Sequence, residues 1–456
     1  MRFRTYQEAE AFLLSFVNYE AAKKWPEYNT TNFDLERFAA LLDRLGAPHR
    51  RPGLIHVAGT KGKGSTCALL ASILTAAGCT TGLYTSPHLK GFYERIRIDR
   101  AMISDEEFAA VAGLITEQMA DDLAATAPPA GQTYRTTFEV LTAMAFRYFA
   151  DENCSAAVIE TGLGGRLDAT NVLAPELTII TALGLDHQHI LGPTLAHIAR
   201  EKGGIIKPGV PCVVADQTEA AEAEAVPVLL QIAEERGAPI IRPSDMGAVK
   251  AFETTAQGSR VVWTPRRRLD GGVAANLPLL GAHQVANLHT VLAAVEALRE
   301  KDWPIGVRAV REGVEDVRLA GRLEVAGTAP LFVVDAAHCP MSMRATVEAV
   351  GQLWPGLDVT VLYSCLSDKN ARDILAELAK LTSLKRLIVF PAPSPRACPP
   401  EIIAAICQEL GLPCSIEGAV EAAMTHALRE TPYDALLLAT GSFYSIEPLR
   451  RAYCHY

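Results

Sequence analysis

No apolar run in these 456 residues approaches the span of a bilayer, and the opening stretch, Met1-Arg2-Phe3-Arg4-Thr5-Tyr6, lacks the apolar core of a signal peptide. The expectation is a cytosolic chain. Basic clustering is equally scarce. The longest run of lysine or arginine is Arg266-Arg267-Arg268, and acidic residues outnumber basic ones by 52 to 43, for a net charge of −9. Nucleic acid and anionic membranes would be repelled, so neither is an expected partner. Ten cysteines are scattered without one Cys-x-x-Cys pair, which argues against a zinc site or a disulfide framework and leaves most of them as small buried apolar residues. Short-period repeats and low-complexity tracts are also missing. What remains is an ordinary globular composition, long enough for two to three domains with their own cores.

The rest is organised around one stretch. Leu54-Ile55-His56-Val57-Ala58 is an apolar run, Gly59-Thr60-Lys61-Gly62-Lys63-Gly64-Ser65-Thr66 is a glycine-punctuated turn carrying lysine, and Cys67 to Leu74 has an apolar helical period. Together they read as strand, phosphate loop and helix. Glycines let backbone N–H groups close on an anion, the helix N-terminus adds partial positive charge, and Lys63 can reach outer phosphates. Ser65 or Thr66 is placed to touch a magnesium ion. The spacing differs from the standard Gly-x4-Gly-Lys-[Ser/Thr], because two residues separate Gly59 from Gly62 and a glycine follows Lys63. A plain glycine-rich turn is the alternative; the flanking strand and helix favour nucleotide chemistry.

Residues 6 to 50 look helical over Tyr6 to Tyr19 and Leu35 to Leu45, with Gly46-Ala47-Pro48 as a stop. Strand-like runs follow at 80–85, ending in Ser86-Pro87-His88-Leu89, and at 156–160, 177–181 and 211–215, with helical segments between them. That alternation predicts a doubly wound α/β fold with a largely parallel sheet. Ligands of such sheets sit at the carboxyl ends of the strands, where Gly59 to Thr66, Ser86, Glu160 and Asp186-His187 all fall. Residues 126–135, and in part 89–104, read as loops that could wall a cleft. A fresh αβ series, with strands at 331–335, 359–363, 386–390 and 435–439, predicts a smaller C-terminal α/β domain. The expected division is 1–316 and 317–456.

Glu160-Thr161-Gly162-Leu163-Gly164-Gly165-Arg166-Leu167-Asp168-Ala169-Thr170-Asn171 puts three glycines and several polar side chains directly after an apolar strand. Glu160, a carboxylate at a strand end beside a phosphate loop, is a natural magnesium ligand. Arg166 and Asp168 are either part of the site or an ion pair holding a turn. His187, ending the next strand, is either a ligand or a satisfied structural histidine. A helical segment from Thr194 then offers Glu201 and Lys202 before Gly203-Gly204.

Taken together these motifs resemble the Mur-ligase superfamily and, within it, the folylpolyglutamate and dihydrofolate synthases. The matching pieces are 59–66, Ser-Pro-His-Leu at 86–89, 160–171, Leu-Asp-His at 185–187, Ile-Ala-Arg-Glu-Lys-Gly-Gly-Ile-Ile-Lys at 198–207, His-Gln-Val-Ala-Asn at 283–287, Gly-Arg-Leu-Glu at 321–324, Asp-Ala-Ala-His at 335–338 and Gly-Ser-Phe-Tyr at 441–444. They run in family order along most of the chain. The family's usual Asp-Gly-Ala-His-Asn-Pro is here Asp335-Ala336-Ala337-His338-Cys339-Pro340, and Lys61 replaces a common bacterial asparagine.

The resemblance implies an ATP-dependent amide ligase, in which a substrate carboxylate is phosphorylated and the acyl phosphate is attacked by the amino group of glutamate. By family match Lys63 and the loop Gly59, Thr60, Lys61, Gly62, Gly64, Ser65 and Thr66 hold ATP phosphates, Ser86, Glu160 and His187 bind magnesium (Mg2+), and Lys202 is the carbamylated lysine. Asn287 would contact the nucleotide from the first domain. Arg322, Asp335 and His338 would do so from the second, with domain closure keeping water from the acyl phosphate. The expected partners are small molecules (a folate or dihydropteroate, L-glutamate and ATP), and the chain is expected to act as a monomer. Two alternatives accompany this reading: a Mur-type ligase for another carboxylate, and a nucleotide-binding regulator of the same fold without turnover.

Overall fold

The computed structural model describes residues 3–20, 22, 26–120, 135–266 and 272–454. The loop expected at 126–135 lies, apart from Arg135, outside them.

The phosphate-loop strand is the middle of an eight-stranded sheet. Its strands are β1 (Leu54–Ala58), β2 (Thr81–Tyr84), β3 (Ile96–Ile98), β4 (Ala101–Met102), β5 (Ala156–Glu160), β6 (Leu177–Ile180), β7 (Cys212–Val214) and β8 (Ile240–Ile241), in the order β4-β3-β2-β5-β1-β6-β7-β8. From β2 to β8 neighbours are parallel; β3 and β4 add an antiparallel edge. Every residue of β1, β2, β5 and β6 is buried, as expected of strands covered on both faces.

The helix Lys63–Ala76 is buried from Ser65 to Leu74, all round its axis, so its sequence shows no polar stripe. It lies against β5 and the helix Val307–Asp316. Gly313 permits that approach: a Cβ there would stand 2.4 Å from the Ile73 Cα, and the Ser72 hydroxyl donates to the Gly313 carbonyl at 2.7 Å.

A three-stranded sheet, β9 (Gly247–Thr255), β10 (Gly258–Pro265) and β11 (Val273–Leu277), follows. The C-terminal sheet comprises β12 (Glu324–Thr328), β13 (Leu331–Val334), β14 (Val359–Tyr363), β15 (Leu384–Val389), β16 (Cys414–Ile416) and β17 (Leu436–Thr440), in the order β12-β13-β17-β14-β15-β16. Only the β12–β13 pair is antiparallel. The chain divides into two compact units. The first holds residues 1–250, 261–275 and 286–317, the second 251–260, 276–285 and 318–456. The architecture is thus a doubly wound, largely parallel α/β sheet with a second α/β sheet, as the alternation of elements predicted. No described helix is long and apolar enough to cross a membrane.

Candidate active site

The loop after β1 is tied to the end of β6. Thr60 and Lys61 donate their amides to the Ala182 carbonyl at 2.9 and 3.1 Å, and the Thr181 hydroxyl donates to the Lys61 carbonyl at 2.8 Å. A Cβ on Gly59 would stand 1.9 Å from Thr181 Oγ1. Gly62, at φ +89°, starts the helix in the left-handed region, and no side chain caps the first turn. A Cβ at Gly62 would also meet Asn287 Oδ1 at 2.3 Å, so the predicted nucleotide contact Asn287 borders the loop. An uncapped first turn leaves backbone N–H groups for an anion. The Thr60 hydroxyl is committed elsewhere, to the backbone of Gly184 at 3.1 Å. Thr66 Oγ1 is buried without a hydrogen-bond partner.

Three amines face this loop. Lys63 Nζ stands 3.7 Å from Glu160 Oε1, and Lys61 Nζ 3.0 Å from Asp186 Oδ2. Lys202, on the helix Leu195–Gly203, is buried and donates to the Gly59 carbonyl at 2.8 Å. Burial first, then the charges of Lys63 and Lys61, pull its pKa down to about 7. The candidate residues Lys202 and Lys63 are thus near enough for their charges to interact, and Lys202 is largely neutral at slightly alkaline pH.

Glu160 ends β5, and its Oε2 accepts the Ser86 amide at 3.2 Å. The loop also reaches it: a Cβ on Gly64 would lie 3.4 Å from Glu160 Oε2. Next to Ser86, His88 Nδ1 accepts from Arg95 Nε at 2.9 Å, while the buried Arg95 guanidinium donates to both oxygens of Glu20 at 2.9 and 2.6 Å. Desolvation, with Arg95 adding to it, pushes His88 down to about 3. His88 is held neutral, with its proton on Nε2. Within the Ser-Pro-His-Leu motif only Ser86 is assigned a role by the resemblance; the partners of His88, Arg95 and Glu20, lie seven and sixty-eight positions away, with no periodic signal joining them.

The glycine-rich loop after Glu160 is locked onto the Lys202 helix. Arg166 donates its amide to the Glu201 carbonyl at 2.7 Å and its guanidinium to both Glu201 carboxylate oxygens at 2.9 to 3.2 Å. A Cβ on Gly165 would lie 2.9 Å from the Glu201 and Lys202 carbonyls, and one on Gly204 would lie 2.4 Å from the Arg166 Cα. Arg166 thus pairs with Glu201 rather than with Asp168. The buried Asp168 instead accepts the amides of Leu163 and Thr170 and the Thr170 hydroxyl, at 2.8, 3.0 and 2.5 Å. His187 takes φ +51°, donates its amide to Asp186 Oδ1 at 2.9 Å, and has its ring Nε2 3.8 Å from the same oxygen.

Within the second unit, Asp335 accepts from the Leu323 and Ala337 amides and the Thr346 hydroxyl at 2.8, 3.0 and 2.8 Å. It fixes the turn of Arg322, whose guanidinium lies 5.3 Å over the Phe443 ring. His338 Nδ1 bonds the Ala336 carbonyl at 2.8 Å. The Ser342 hydroxyl receives the His338 and Cys339 amides, both at 3.2 Å. Ala336 is not among the residues with positive φ, so the alanine in place of the family's glycine needs no strained backbone.

Among the described residues no group of three or more His, Cys, Asp or Glu side chains encloses a metal position. Magnesium does not require one: it keeps waters and binds through one or two carboxylates plus substrate phosphate. Glu160, buried at the strand end beside the uncapped helix, and the orphaned Thr66 hydroxyl in that helix's first turn suit such a partial coordination shell.

The Mur ligase middle domain family matches residues 57–295, and the Mur ligase glutamate ligase domain matches 321–443. A folylpolyglutamate synthase of Lacticaseibacillus casei is 31% identical over 459 residues, 98% of both chains. The dihydrofolate synthase/folylpolyglutamate synthase of Bacillus subtilis is 34% identical over 384 residues, covering 83% of this chain and 86% of its own. The Mycobacterium tuberculosis folylpolyglutamate synthase complexed with ADP superposes with a TM-score of 0.86 at 31% identity, over 98% of this chain and 97% of that one. The chain belongs to the Mur ligase family, in its folylpolyglutamate and dihydrofolate synthase branch.

Proposed function

We propose that this protein is an ATP-dependent ligase that joins L-glutamate to a folate carboxylate through an acyl phosphate, and that dihydropteroate is a second acceptor, as the double name of the Bacillus relative suggests. The observation that carries the reading is the convergence of Lys63, Lys61 and Lys202 on one uncapped phosphate loop, with Glu160 at its edge. Lys63 and the amides of Gly62, Lys63 and Gly64 hold the outer phosphates of ATP, with Gly59, Thr60, Lys61, Ser65, Thr66 and Asn287 completing the nucleotide contacts. Glu160, with Ser86 and His187, would hold magnesium, which when bound would supply a Lewis acid for the phosphoryl group. Neutralising charge on that group, rather than covalent help, is what phosphoryl transfer asks of the protein.

Lys202 has a different part. Its neutral amine takes up carbon dioxide to give a carbamate and releases a proton, so that an anion replaces a third cation beside Lys63 and Lys61. Arg322, Asp335 and His338 are assigned to the nucleotide by family match, with 1–316 as the ATP-binding part and 317–456 as the glutamate ligase part. We further place the protein in the cytosol as a monomer acting on small molecules, without nucleic acid or membrane partners.

The test is phosphate release from ATP in the presence of glutamate and a panel of pterin carboxylates, with products identified by mass. Release must require both glutamate and an acceptor, and each turnover must add one glutamate. ATP binding without release would favour a regulator, and turnover only with an unrelated carboxylate would favour a different Mur-type ligase.

A further inference from the structure

The C-terminal unit holds a facing pair of thiols that the ligation does not use. After β14, residues 365–367 run antiparallel to 396–398: Leu366 and Ala397 form a bridge, the Cys398 amide donates to the Cys365 carbonyl at 2.9 Å, and the Ser367 amide donates to the Arg396 carbonyl at 2.8 Å. This register sets Cys365 directly opposite Cys398, with both side chains on the same face. Both belong to the same apolar core, Cys365 fully buried and Cys398 at 6% exposure. Only the Cys398 amide bonds across between them, one step beyond the Leu366–Ala397 bridge, and at that step of an antiparallel ladder opposed Cα atoms lie about 5.5 Å apart, inside the window a disulfide spans.

We propose that Cys365 and Cys398 are a reversible oxidation site, closed to a disulfide by a peroxide. The Cys398 thiolate attacks one peroxide oxygen, giving a sulfenic acid and hydroxide. The Cys365 sulfur then displaces the sulfenic oxygen, forming the S–S bond, so two thiols and one hydrogen peroxide become one disulfide and two waters. The neighbouring Cys365 thiol holds Cys398 below the ordinary thiol value, whereas Cys365 itself is raised, first by that same hydrogen bond and then by burial. Cys398, the one of the two with any solvent exposure, is the thiol a peroxide reaches first, which suits it to attack and the fully buried Cys365 to resolve.

The cross-link would staple 396–398 to the carboxyl end of β14. Ser364, one residue earlier, shares a hydrogen bond of 2.5 Å with Ser445, and Arg396 donates to the Tyr444 hydroxyl at 3.4 Å. The staple therefore closes beside Gly441-Ser442 and the first turn of the helix Phe443–Cys454.

The experiment treats the reduced, full-length protein with low equivalents of hydrogen peroxide, blocks remaining thiols by alkylation, and maps them by mass. A peptide pair joined through Cys365 and Cys398, about 2 Da lighter than the sum of its reduced parts and restored by dithiothreitol, is the expected product. Hydrogen exchange at the Cys398 amide should slow by about tenfold on oxidation. C398S should leave Cys365 unoxidised, and the wild-type map stands by itself if that variant folds poorly. Full alkylation of both thiols at a peroxide level that oxidises the exposed Cys454, or cross-links that join either thiol to a different cysteine, would overturn the proposal.

Discussion

Lys202 offers the sharpest test, because its environment predicts two independent effects. An ordinary lysine titrates near 10.5, while burial and the neighbouring amines bring Lys202 to about 7. At pH 8 its neutral fraction is then about nine-tenths, against about 0.3% for a solvated lysine, a gain of about 300-fold in the form that reacts with carbon dioxide. Confining the ammonium there costs about 5 kcal/mol at any pH low enough to keep it charged. The sign follows from proton counts. Below pH 7 folded and unfolded chains both carry the proton, and the penalty is present in full. Between pH 7 and 10.5 the unfolded chain binds more protons, so stability rises with pH. In CO2-free buffer, urea unfolding should therefore show the wild type gaining about 2 kcal/mol on Lys202→Met between pH 7 and pH 9. Parallel profiles for the two proteins would refute the buried-amine argument. With 13C-bicarbonate a carbamate signal should appear in the wild type alone. Lys202→Ala should lose ligation by about a hundredfold to a thousandfold while keeping its fold, and small carboxylic acids should restore part of it. A mutant with wild-type rates would remove the carbamate from the mechanism.

Glu160→Gln should lower turnover by about a hundredfold or more at saturating magnesium, since losing one stabiliser of developing charge costs about 3 kcal/mol; steady-state kinetics across magnesium concentrations decides it. Gly204→Ala forces a Cβ to 2.4 Å from the Arg166 Cα, so the loop and the Lys202 helix must part; we expect about 1–3 kcal/mol of destabilisation by urea titration, with ligation reduced. His88, held near 3, should show no NMR titration between pH 5 and 8. Its pKa should rise in Arg95→Met, though burial, the larger cause, keeps it below 6.5. Asp335→Ala orphans the buried amides of Leu323 and Ala337 and should cost about 1–3 kcal/mol of stability.

Much of the fold was legible because its signals are local. Nine parallel strands, five in the first sheet and four in the C-terminal one, stood out as short apolar runs, and the turn after β1 carried its own glycine and lysine punctuation. The helix at Tyr6 ended earlier than its apolar spacing suggested, at Leu14, where the Ser15 amide closes the turn. Strands β3, β4, β8 and β16 have two or three residues each, too few for alternation to register. Within the site the glycines of 59–66 were legible as room for backbone N–H groups to close on an anion, whereas the close packing of protein atoms on Gly59, Gly62, Gly165 and Gly204 shows only in the structure. Partner choice was not legible. Arg166 stands two residues from Asp168 but pairs with Glu201, because the glycine interlock brings the Lys202 helix to it from thirty-five positions away. Arg95, Glu20 and His88 meet only in three dimensions, as do Lys61 and Asp186.

The amines around the phosphate loop also explain how so cationic a site stays folded. Three ammonium groups in one buried corner would repel one another strongly, and each is relieved differently. Lys61 has a close carboxylate, at 3.0 Å; Lys63 has a looser one, at 3.7 Å, beyond hydrogen-bond length; Lys202 is relieved by shedding its proton. Those differences set the order in which the groups can respond to a polyanion. Lys61 is held tightly by Asp186 and gains least by moving, so it keeps the end of β6 and the loop together. Lys63 gives up least on leaving Glu160. On the proposed reading it is therefore the amine that turns to the outer phosphates, and its departure leaves Glu160, buried and anionic, with a charge that a divalent cation can compensate. Phosphate binding and metal binding are then coupled through one carboxylate, and each should tighten the other.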